Sequence, residues 1–295
     1  MKILISSLSL SFLALTLVAS TETISNGNSL QRSDCQLKPL PASARLAWHG
    51  GPRLVYDDSL REQGLVGSYN WSGYAATNAL VSGTGGVSYV AGTWIVNAVT
   101  GNSGQYAAVW VGIDGFDSST VEQLGTLAYI TATGFGRNAK TEAQYYAWVE
   151  MYPAGMYQIP LAVNPGDSIT ASVTWKPGTT SYEVYMKDNT TGLSYGPTPW
   201  TGSSSAKQNS AEWIVEAPSS NFGILPLADF GTELFSSCTA TIADQNDGAN
   251  AGIDSFATLE DIIMVSERGN QAMAATVVGS LYTTGFSDKW DSSGP

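Results

Sequence analysis

From Tyr69 onward the chain consists of short runs in which apolar residues alternate with polar ones or stand together. Alternation with a period of two predicts strands, because successive side chains of a strand point to opposite faces of a sheet. The predicted strands span residues 87–96, 106–113, 126–133, 143–152, 168–176, 182–187, 211–216, 232–242, 262–265 and 274–283. Turn sequences rich in Gly, Asn, Asp and Pro separate them. Many short strands joined by regular turns predict an all-β sandwich or barrel.

Residues 1–66 lack the alternating pattern of the rest of the chain. Residues 1–20 carry one lysine and then an apolar run that ends in small residues, which is the pattern of a secretory signal peptide. Residues 21–66 are polar and show no clear periodicity, and we interpret them as a pro-segment. Residues 67–295 contain no linker or repeat, so we expect them to form a single, secreted domain.

Two predicted strands place carboxylates among large apolar side chains. The residues that share a face are Tyr146, Trp148, Glu150 and Tyr152 in one strand, and Glu212, Ile214 and Glu216 in the other. A sheet lined by acidic and aromatic side chains suits a cleft for an extended polymer. Outward glutamates beside aromatic core residues are also common in strands without any function, so the pattern alone leaves both interpretations open.

Charged residues are few and mainly acidic. They make up 13% of the chain, and 20 of the 25 acidic residues but only 7 of the 13 basic ones follow Asn70. Such a surface repels nucleic acid and anionic lipid, so neither is an expected partner. Little positive charge remains when the carboxylates are protonated, so the composition suits an acidic medium. A surface selected only for solubility would have the same composition.

Hydrolytic chemistry that depends on histidine is excluded for residues 67–295. The single histidine, His49, lies in the interpreted pro-segment, which rules out His-based triads and His-rich metal sites. Residues 192–196 match the G-x-S-x-G pattern, but they follow a turn sequence and no histidine follows them, so we interpret them as a turn. The Asp-Thr-Gly and Asp-Ser-Gly turns of aspartic peptidases do not occur. Carboxylates, amides, tyrosines and water remain, and no metal or cofactor is expected.

Six short strings stand out along the chain. They are Asn70-Trp71-Ser72-Gly73-Tyr74, Trp110-Val111-Gly112-Ile113-Asp114-Gly115, Glu122-Gln123-Leu124-Gly125-Thr126, Tyr146-Ala147-Trp148-Val149-Glu150-Met151-Tyr152-Pro153, Ala211-Glu212-Trp213-Ile214-Val215-Glu216 and Pro226-Leu227-Ala228-Asp229-Phe230. In these strings and in their order the chain resembles the glutamic peptidases, also called eqolisins, across residues 70–285. One string would be weak support, whereas six in order are specific.

The resemblance implies a fold, an activity and a catalytic pair. The fold of the family is an antiparallel β-sandwich of the concanavalin-like or jelly-roll type, with a curved substrate-binding sheet. The activity is that of an acid endopeptidase that pepstatin does not inhibit, and the catalytic glutamine and glutamate of the family fall on Gln123 and Glu216. The positions that line or support the cleft fall on Trp71, Trp110, Asp114, Trp148, Glu150, Tyr152 and Glu212.

The chemistry of such a pair is physically sound at low pH. A glutamate can take a proton from water and return it to the leaving amine, and a glutamine amide can stabilise the oxyanion. Glutamine does not titrate, whereas histidine would be cationic in acid. The chain departs from fungal members of the family at Tyr146, where they have Asp, and at Ser72, where they have Gly, so we expect its subsite preferences to differ.

The same residue types also allow functions other than peptide hydrolysis. A glycoside hydrolase or glycan-binding sandwich could use Glu150 and Glu216 as its carboxylate pair, although Gln123 would then have no role. A noncatalytic structural sandwich is a third interpretation. For the peptidase, we expect a monomer with protein or peptide substrates. We also expect the pro-segment to inhibit it at neutral pH, through Arg32, Lys38, Arg45 and Arg53, and to detach when the carboxylates are protonated.

Overall fold

A computed structural model of the chain describes residues 29–30, 38–39, 50–78, 86–134, 139–268 and 271–294. The predicted signal peptide at 1–20 lies outside the described residues, and so do Arg32, Arg45 and His49. Among the described residues, no helix has the length and apolar character needed to cross a membrane.

Strands dominate the described part of the chain. Numbered along the chain, they are β1 Ser29–Leu30, β2 Lys38–Pro39, β3 Leu54–Val55, β4 Leu65–Ser68, β5 Trp71–Thr77, β6 Val87–Ile95, β7 Tyr106–Ile113, β8 Val121–Thr133, β9 Lys140–Tyr152, β10 Tyr157–Gln158, β11 Ser168–Trp175, β12 Ser181–Asp188, β13 Ser194–Thr201, β14 Ser210–Glu216, β15 Ser219–Ser220, β16 Gly223–Ile224, β17 Thr232–Ile242, β18 Asn250–Gly252, β19 Leu259–Val265, β20 Ala272–Thr276 and β21 Phe286–Trp290. The helical segments are α1 Asp58–Arg61 and two 3-10 turns, Asn246–Gly248 and Ile253–Ser255.

The strands form two packed layers. Sheet I has the order β10-β9-β8-β7-β14-β5-β19, continued by β20, β21 and the first residues of β17. Sheet II has the order β13-β12-β11-β6-β17-β18. All of these neighbours are antiparallel, and β17 takes part in both sheets. The predicted antiparallel β-sandwich is confirmed.

The main core lies between the two sheets, and it follows from the alternation along each strand. Val109 and Val111 of β7 point towards sheet II and pack with buried side chains of that sheet, such as Trp94 and Val184. The intervening Trp110 points to the opposite face of sheet I, where a second buried cluster lies. Sheet I is therefore buried on both faces, which fits the continuous burial of β7 and β14.

Three short strands of the segment before residue 69 attach to the edges of this sandwich. β1 pairs with β13, β2 pairs with β10, and β4 pairs with β19. The pairings of β1 and β4 are parallel, whereas the pairing of β2 is antiparallel. The N-terminal segment thus extends both sheets.

The bounds of β7 and β17 match their predicted ranges. β8 begins at Val121 instead of residue 126, because Glu122, Gln123 and Gly125 interrupt the apolar pattern although they lie in the strand. The strand predicted at 274–283 ends at Thr276, and a turn follows in which the Ser280 amide donates to the Val277 carbonyl.

The strands that sequence patterning missed contain residues that disfavour strands. β5 carries Ser72 and Gly73 near its start, and β13 contains Gly196 and Pro197 joined by a cis peptide bond. The G-x-S-x-G sequence at residues 192–196 lies at the end of the β12–β13 turn, and its serine, Ser194, is the first residue of β13. No sharp strand-to-helix turn is present there.

Gly73 allows β5 and β14 to approach each other closely. Its φ is 130°, and a Cβ at this position would lie 2.2 Å from the Trp213 carbonyl oxygen. We expect Gly73→Ala to lower the free energy of unfolding by about 3 kcal/mol or more, because backbone strain adds to the steric clash. Thermal and denaturant unfolding at acidic pH measure this loss.

Gly178→Ala is the matched control. Gly178 has a φ of 77° in a turn where nothing lies within 4 Å of an added Cβ. The control therefore introduces the strain without the clash, at a cost of about 1 kcal/mol. Equal losses for the two variants would contradict the close approach of β5 and β14.

Candidate active site

Five adjacent strands of sheet I bring predicted site residues to one face. Three cross-strand rows, each two residues from the next along a strand, follow from the pairing of β5, β14, β7, β8 and β9. The glutamine row contains Glu212, Gly112, Gln123 and Glu150, the tryptophan row contains Ile214, Trp110, Gly125 and Trp148, and the glutamate row contains Trp71, Glu216, Ala108, Leu127 and Tyr146. Gln123 and Glu216 are thus on opposite sides of the tryptophan row.

Glu216 is held by an indole from the neighbouring strand. The Trp110 Nε1–H donates a hydrogen bond of 2.8 Å to Glu216 Oε2. The Trp110 ring in turn packs edge-on against Trp71, with 4.9 Å between ring centroids and 75° between ring planes. These contacts fix the orientation of the carboxylate in an apolar surrounding.

Gln123 is held from the opposite side by Glu150. These residues pair directly across β8 and β9, and Gln123 Nε2 donates to Glu150 Oε2 at 3.2 Å. A carboxylate acceptor orients the amide so that its nitrogen is directed towards β9. Glu150 is therefore a partner of the glutamine.

This face is closed to solvent in the full chain. Gln123 and Glu216 are 0% exposed, and Glu150 is 1% exposed. The N-terminal segment packs at one end of the face, where a Cβ at Gly51 would lie 2.8 Å from the Gly115 carbonyl oxygen and one at Gly50 would lie 3.6 Å from the Tyr152 ring.

The conformation of residues 50–53 is set by Asn70, which directly precedes β5. Asn70 Oδ1 accepts a hydrogen bond of 2.7 Å from the Arg53 amide, and its Nδ2 donates to the Gly51 carbonyl at 3.4 Å. Arg53 also lies 3.7 Å from the carboxylate of Glu267 at the surface. Asn70 belongs to the first of the six strings, but its role in holding this segment cannot be read from the sequence.

Asp114 is buried at the end of β7, where it organises a loop. Its carboxylate accepts hydrogen bonds from the backbone amides of Lys207, Gln208 and Asn209, at 2.7, 2.9 and 2.9 Å. Burial raises the pKa of Asp114, and these hydrogen bonds partly offset that effect. Asp114 thus supports the loop that leads into β14 and Glu216.

Glu122 and Glu212 lie near Asp114 and are also buried. Burial, reinforced by the negative charge of Asp114, raises the pKa of Glu122 to about 8. Burial likewise raises the pKa of Glu212 well above its ordinary value. Both carboxyl groups are therefore protonated in the folded protein in acid, and at neutral pH they keep the proton at a cost in stability, because they ionise freely in the unfolded chain.

Trp148 and Tyr152 are the remaining predicted site residues. Trp148 is fully buried in the tryptophan row, and Tyr152 is partly buried at the end of β9. Patterning overlooked Tyr106 and Tyr129, which lie on the same face of β7 and β8. Tyr106 is four residues from Trp110 and Tyr129 is six residues from Gln123, and these even spacings are the signal that places each tyrosine on the same face of its strand as the site residue. No group of three or more His, Cys, Asp or Glu suited to a metal ion occurs among the described residues.

Comparisons with known proteins agree on one family. The profile of the Peptidase A4 family matches residues 69–283. Aspergillopepsin-2 of Aspergillus niger is 29% identical over 183 residues, which are 61% of this chain. The chain spans 59% of the length of that protein.

Solved structures share the fold. A crystal structure of scytalido-glutamic peptidase with a transition state analog inhibitor has a TM-score of 0.59 and 24% identity, and the match covers 76% of this chain and 98% of that one. SCP-B, a member of the eqolisin family of peptidases in complex with the tripeptide Ala-Ile-His, has a TM-score of 0.57 and 23% identity over the same shares.

The buried carboxyl groups predict a stability that falls towards neutral pH. A glutamate whose pKa is raised in the folded state binds its proton more tightly there than in the unfolded chain. Its stabilising contribution is complete below the unfolded pKa and is lost as the pH rises through the folded one. For Glu122 this loss occurs between pH 4.5 and about pH 8. At neutral pH it lowers the free energy of unfolding by roughly 3 kcal/mol.

We therefore expect Glu122→Gln to reduce the difference in melting temperature between about pH 4 and pH 7.5. Thermal unfolding across this range measures the effect. Glu142→Gln, at an exposed position of β9, is the matched control and should leave the difference unchanged. A Glu122→Gln variant with the full pH dependence of the parent protein would refute the assignment.

Proposed function

Because this chain belongs to the Peptidase A4 family, we propose that it is a secreted acid endopeptidase that cleaves protein substrates with water activated by Gln123 and Glu216. The observation that carries the proposal is the arrangement on one face of sheet I. The Trp110 N–H orients Glu216, Gln123 is hydrogen-bonded to Glu150, and tryptophans lie between and beside them.

The proposed mechanism begins with a water molecule between the two side chains. Glu216 takes a proton from this water, and the oxygen attacks the carbonyl carbon of the scissile peptide bond. One N–H of the Gln123 amide is directed to Glu150, and the other donates to the carbonyl oxygen as negative charge develops on it. Glu216 then returns the proton to the nitrogen of the leaving amine, and the C–N bond breaks.

The hydrogen bond between Gln123 and Glu150 favours this function over glycoside hydrolysis. A glycosidase would need Glu150 and Glu216 to act on opposite sides of one glycosidic bond. Glu150 instead accepts the Gln123 N–H at 3.2 Å, so its carboxylate serves to orient the amide. This arrangement also gives Gln123 the role that the glycosidase interpretation lacks.

The catalytic pair can be tested with two variants. Glu216→Gln removes the base and should lower kcat/KM on a denatured protein substrate by at least about 10³-fold. Gln123→Ala removes the oxyanion donor and should lower it by about 10²- to 10³-fold. Assays at about pH 3 with pepstatin present measure the loss, and circular dichroism verifies the fold. Glu142→Gln, exposed on β9, should retain full activity.

Two results would contradict the proposed peptidase. Release of reducing sugar from a glycan, abolished by both Glu150→Gln and Glu216→Gln and accompanied by no proteolysis, would replace the peptidase by a glycoside hydrolase. Proteolysis that persists in Glu216→Gln would reject the proposed base.

We further propose that residues 21–66 keep the enzyme inactive before acidification. The support is the complete burial of Gln123 and Glu216 in the full chain, the contacts of Gly50 and Gly51 at one end of the catalytic face, and the added strands β1 and β2. Protonation of surface carboxylates would weaken ion pairs such as that of Arg53 with Glu267. The segment would then detach and the face would open.

A pH shift of the chain that begins at residue 21 tests this. We expect it to be inactive near pH 7 and to gain activity at about pH 3, together with a new N-terminus near residue 67 in protein sequencing. Glu216→Gln should remain unprocessed by itself but be cut when active enzyme is added. Full activity of a chain that still starts near residue 21 would contradict the proposal.

A further inference from the structure

Three tyrosines form a parallel stack on the catalytic face of sheet I. They come from adjacent strands: Tyr106 from β7, Tyr129 from β8 and Tyr146 from β9. The centroids of Tyr106 and Tyr129 are 5.6 Å apart with 16° between ring planes, and those of Tyr129 and Tyr146 are 5.9 Å apart with 18°. Such offset stacking is a favoured geometry for aromatic rings.

The stack ends at Tyr146, which is more exposed than the other two rings. Tyr106 and Tyr129 are each 5% exposed, whereas Tyr146 is only partly buried. The two inner rings therefore act as a rigid support for Tyr146, which is the ring of the stack that a further aromatic side chain can reach. Trp71 and Trp110, which meet edge-on, do not offer a surface of this kind.

The position of Tyr146 relative to the catalytic glutamate suits a substrate subsite. Both residues lie in the glutamate row, with Ala108 and Leu127 between them. Three strand-to-strand steps separate their backbones by about 14 Å, which an extended peptide covers in about four residues. A peptide lying along this row with its scissile bond at Glu216 would place a side chain at Tyr146.

The chemistry of this surface is apolar and uncharged. Burial raises the pKa of Tyr146, and the neighbouring Tyr129 adds to this effect, so the phenol stays neutral. A flat apolar side chain gains stacking and dispersion contacts there. A carboxylate or ammonium group would lose hydration without gaining a partner of opposite charge from the stack.

We propose that Tyr146, supported by Tyr129 and Tyr106, determines substrate specificity by binding an aromatic side chain of the peptide a few residues from the scissile bond. This inference rests on the proposed peptidase function and specifies one of its subsites. It concerns binding of the substrate, and the activation of water does not involve the tyrosines.

The test compares kcat/KM for two peptides that differ only at the position where a peptide library shows the strongest aromatic preference, one with Phe and one with Ala. The protein with its native sequence should prefer the Phe peptide, and Tyr146→Ala should reduce that preference by about 3- to 10-fold. Tyr146→Phe keeps the ring and should keep the preference. Tyr185→Ala, on the outer face of β12 in sheet II, is the control for loss of a tyrosine elsewhere.

The failures of the two proposals are distinguishable. No aromatic preference in the native enzyme, or an equal loss on both peptides in Tyr146→Ala, would overturn the subsite while leaving the peptidase intact. Absence of proteolysis by the native enzyme would overturn the function itself. If Tyr146→Ala does not fold, Tyr146→Leu removes the aromatic face while keeping apolar bulk, and retention of the full Phe preference in that variant would equally overturn the subsite.

Discussion

The register between the central strands of sheet I is the constraint on which the candidate site depends. Side chains alternate between the two faces of a strand, so a slip of one residue in β8 would turn Gln123 towards sheet II and Leu124 towards the face that carries the candidate site. Leu124 is completely buried between the sheets, together with Val149 and Val111, which lie opposite it on the neighbouring strands. The apolar core therefore holds the register. The same packing that stabilises the sandwich also brings Gln123 beside Glu150 and Trp110 beside Glu216.

Burial of sheet I on both faces has an electrostatic consequence. Carboxyl groups on or beside the sheet lose hydration, which disfavours their charged form. Accordingly the pKa values of Glu122 and Asp288 are both raised to about 8, with burial as the largest cause. At neutral pH the fold keeps these groups protonated although they would ionise in the unfolded chain, which lowers the free energy of unfolding, whereas in acid they are protonated in both states and this cost is absent. Acidic surroundings and a sheet with two buried faces are thus physically compatible, and the small number of basic residues limits repulsion among positive charges at low pH.

Much of this arrangement could be predicted from the sequence, and the limits have physical causes. Alternation located β7 and β17 within their observed bounds and placed Trp148 and Glu150 on one face. The resemblance to glutamic peptidases, confirmed by the family match to residues 69–283, singled out Gln123 and Glu216, which residue types alone could not have done. Contacts between residues far apart in the sequence could not be predicted, because local patterns do not reveal which strands become neighbours.

Two examples illustrate this limit. Asn70 fixes Gly51 and Arg53 through hydrogen bonds between segments that are 17 and 19 residues apart. The tyrosine stack needs three strands in register, and no single strand contains more than one of its rings. β5 and β13 were missed for the opposite reason, since their Gly and Pro residues oppose strand formation locally while tertiary packing stabilises them.

The loss of hydration on the buried face of sheet I also explains why an amide is well suited to position 123. Glu150 lies directly opposite, in a row that also contains the buried Glu212. A second carboxylate at position 123 would face Glu150 as a like charge, and one of the two would have to stay protonated. An amide avoids this conflict, because it donates an N–H to Glu150 and keeps the same donor groups at every pH. Only Glu216 then has to change its protonation during the proposed reaction, and the Trp110 N–H keeps its carboxylate oriented throughout.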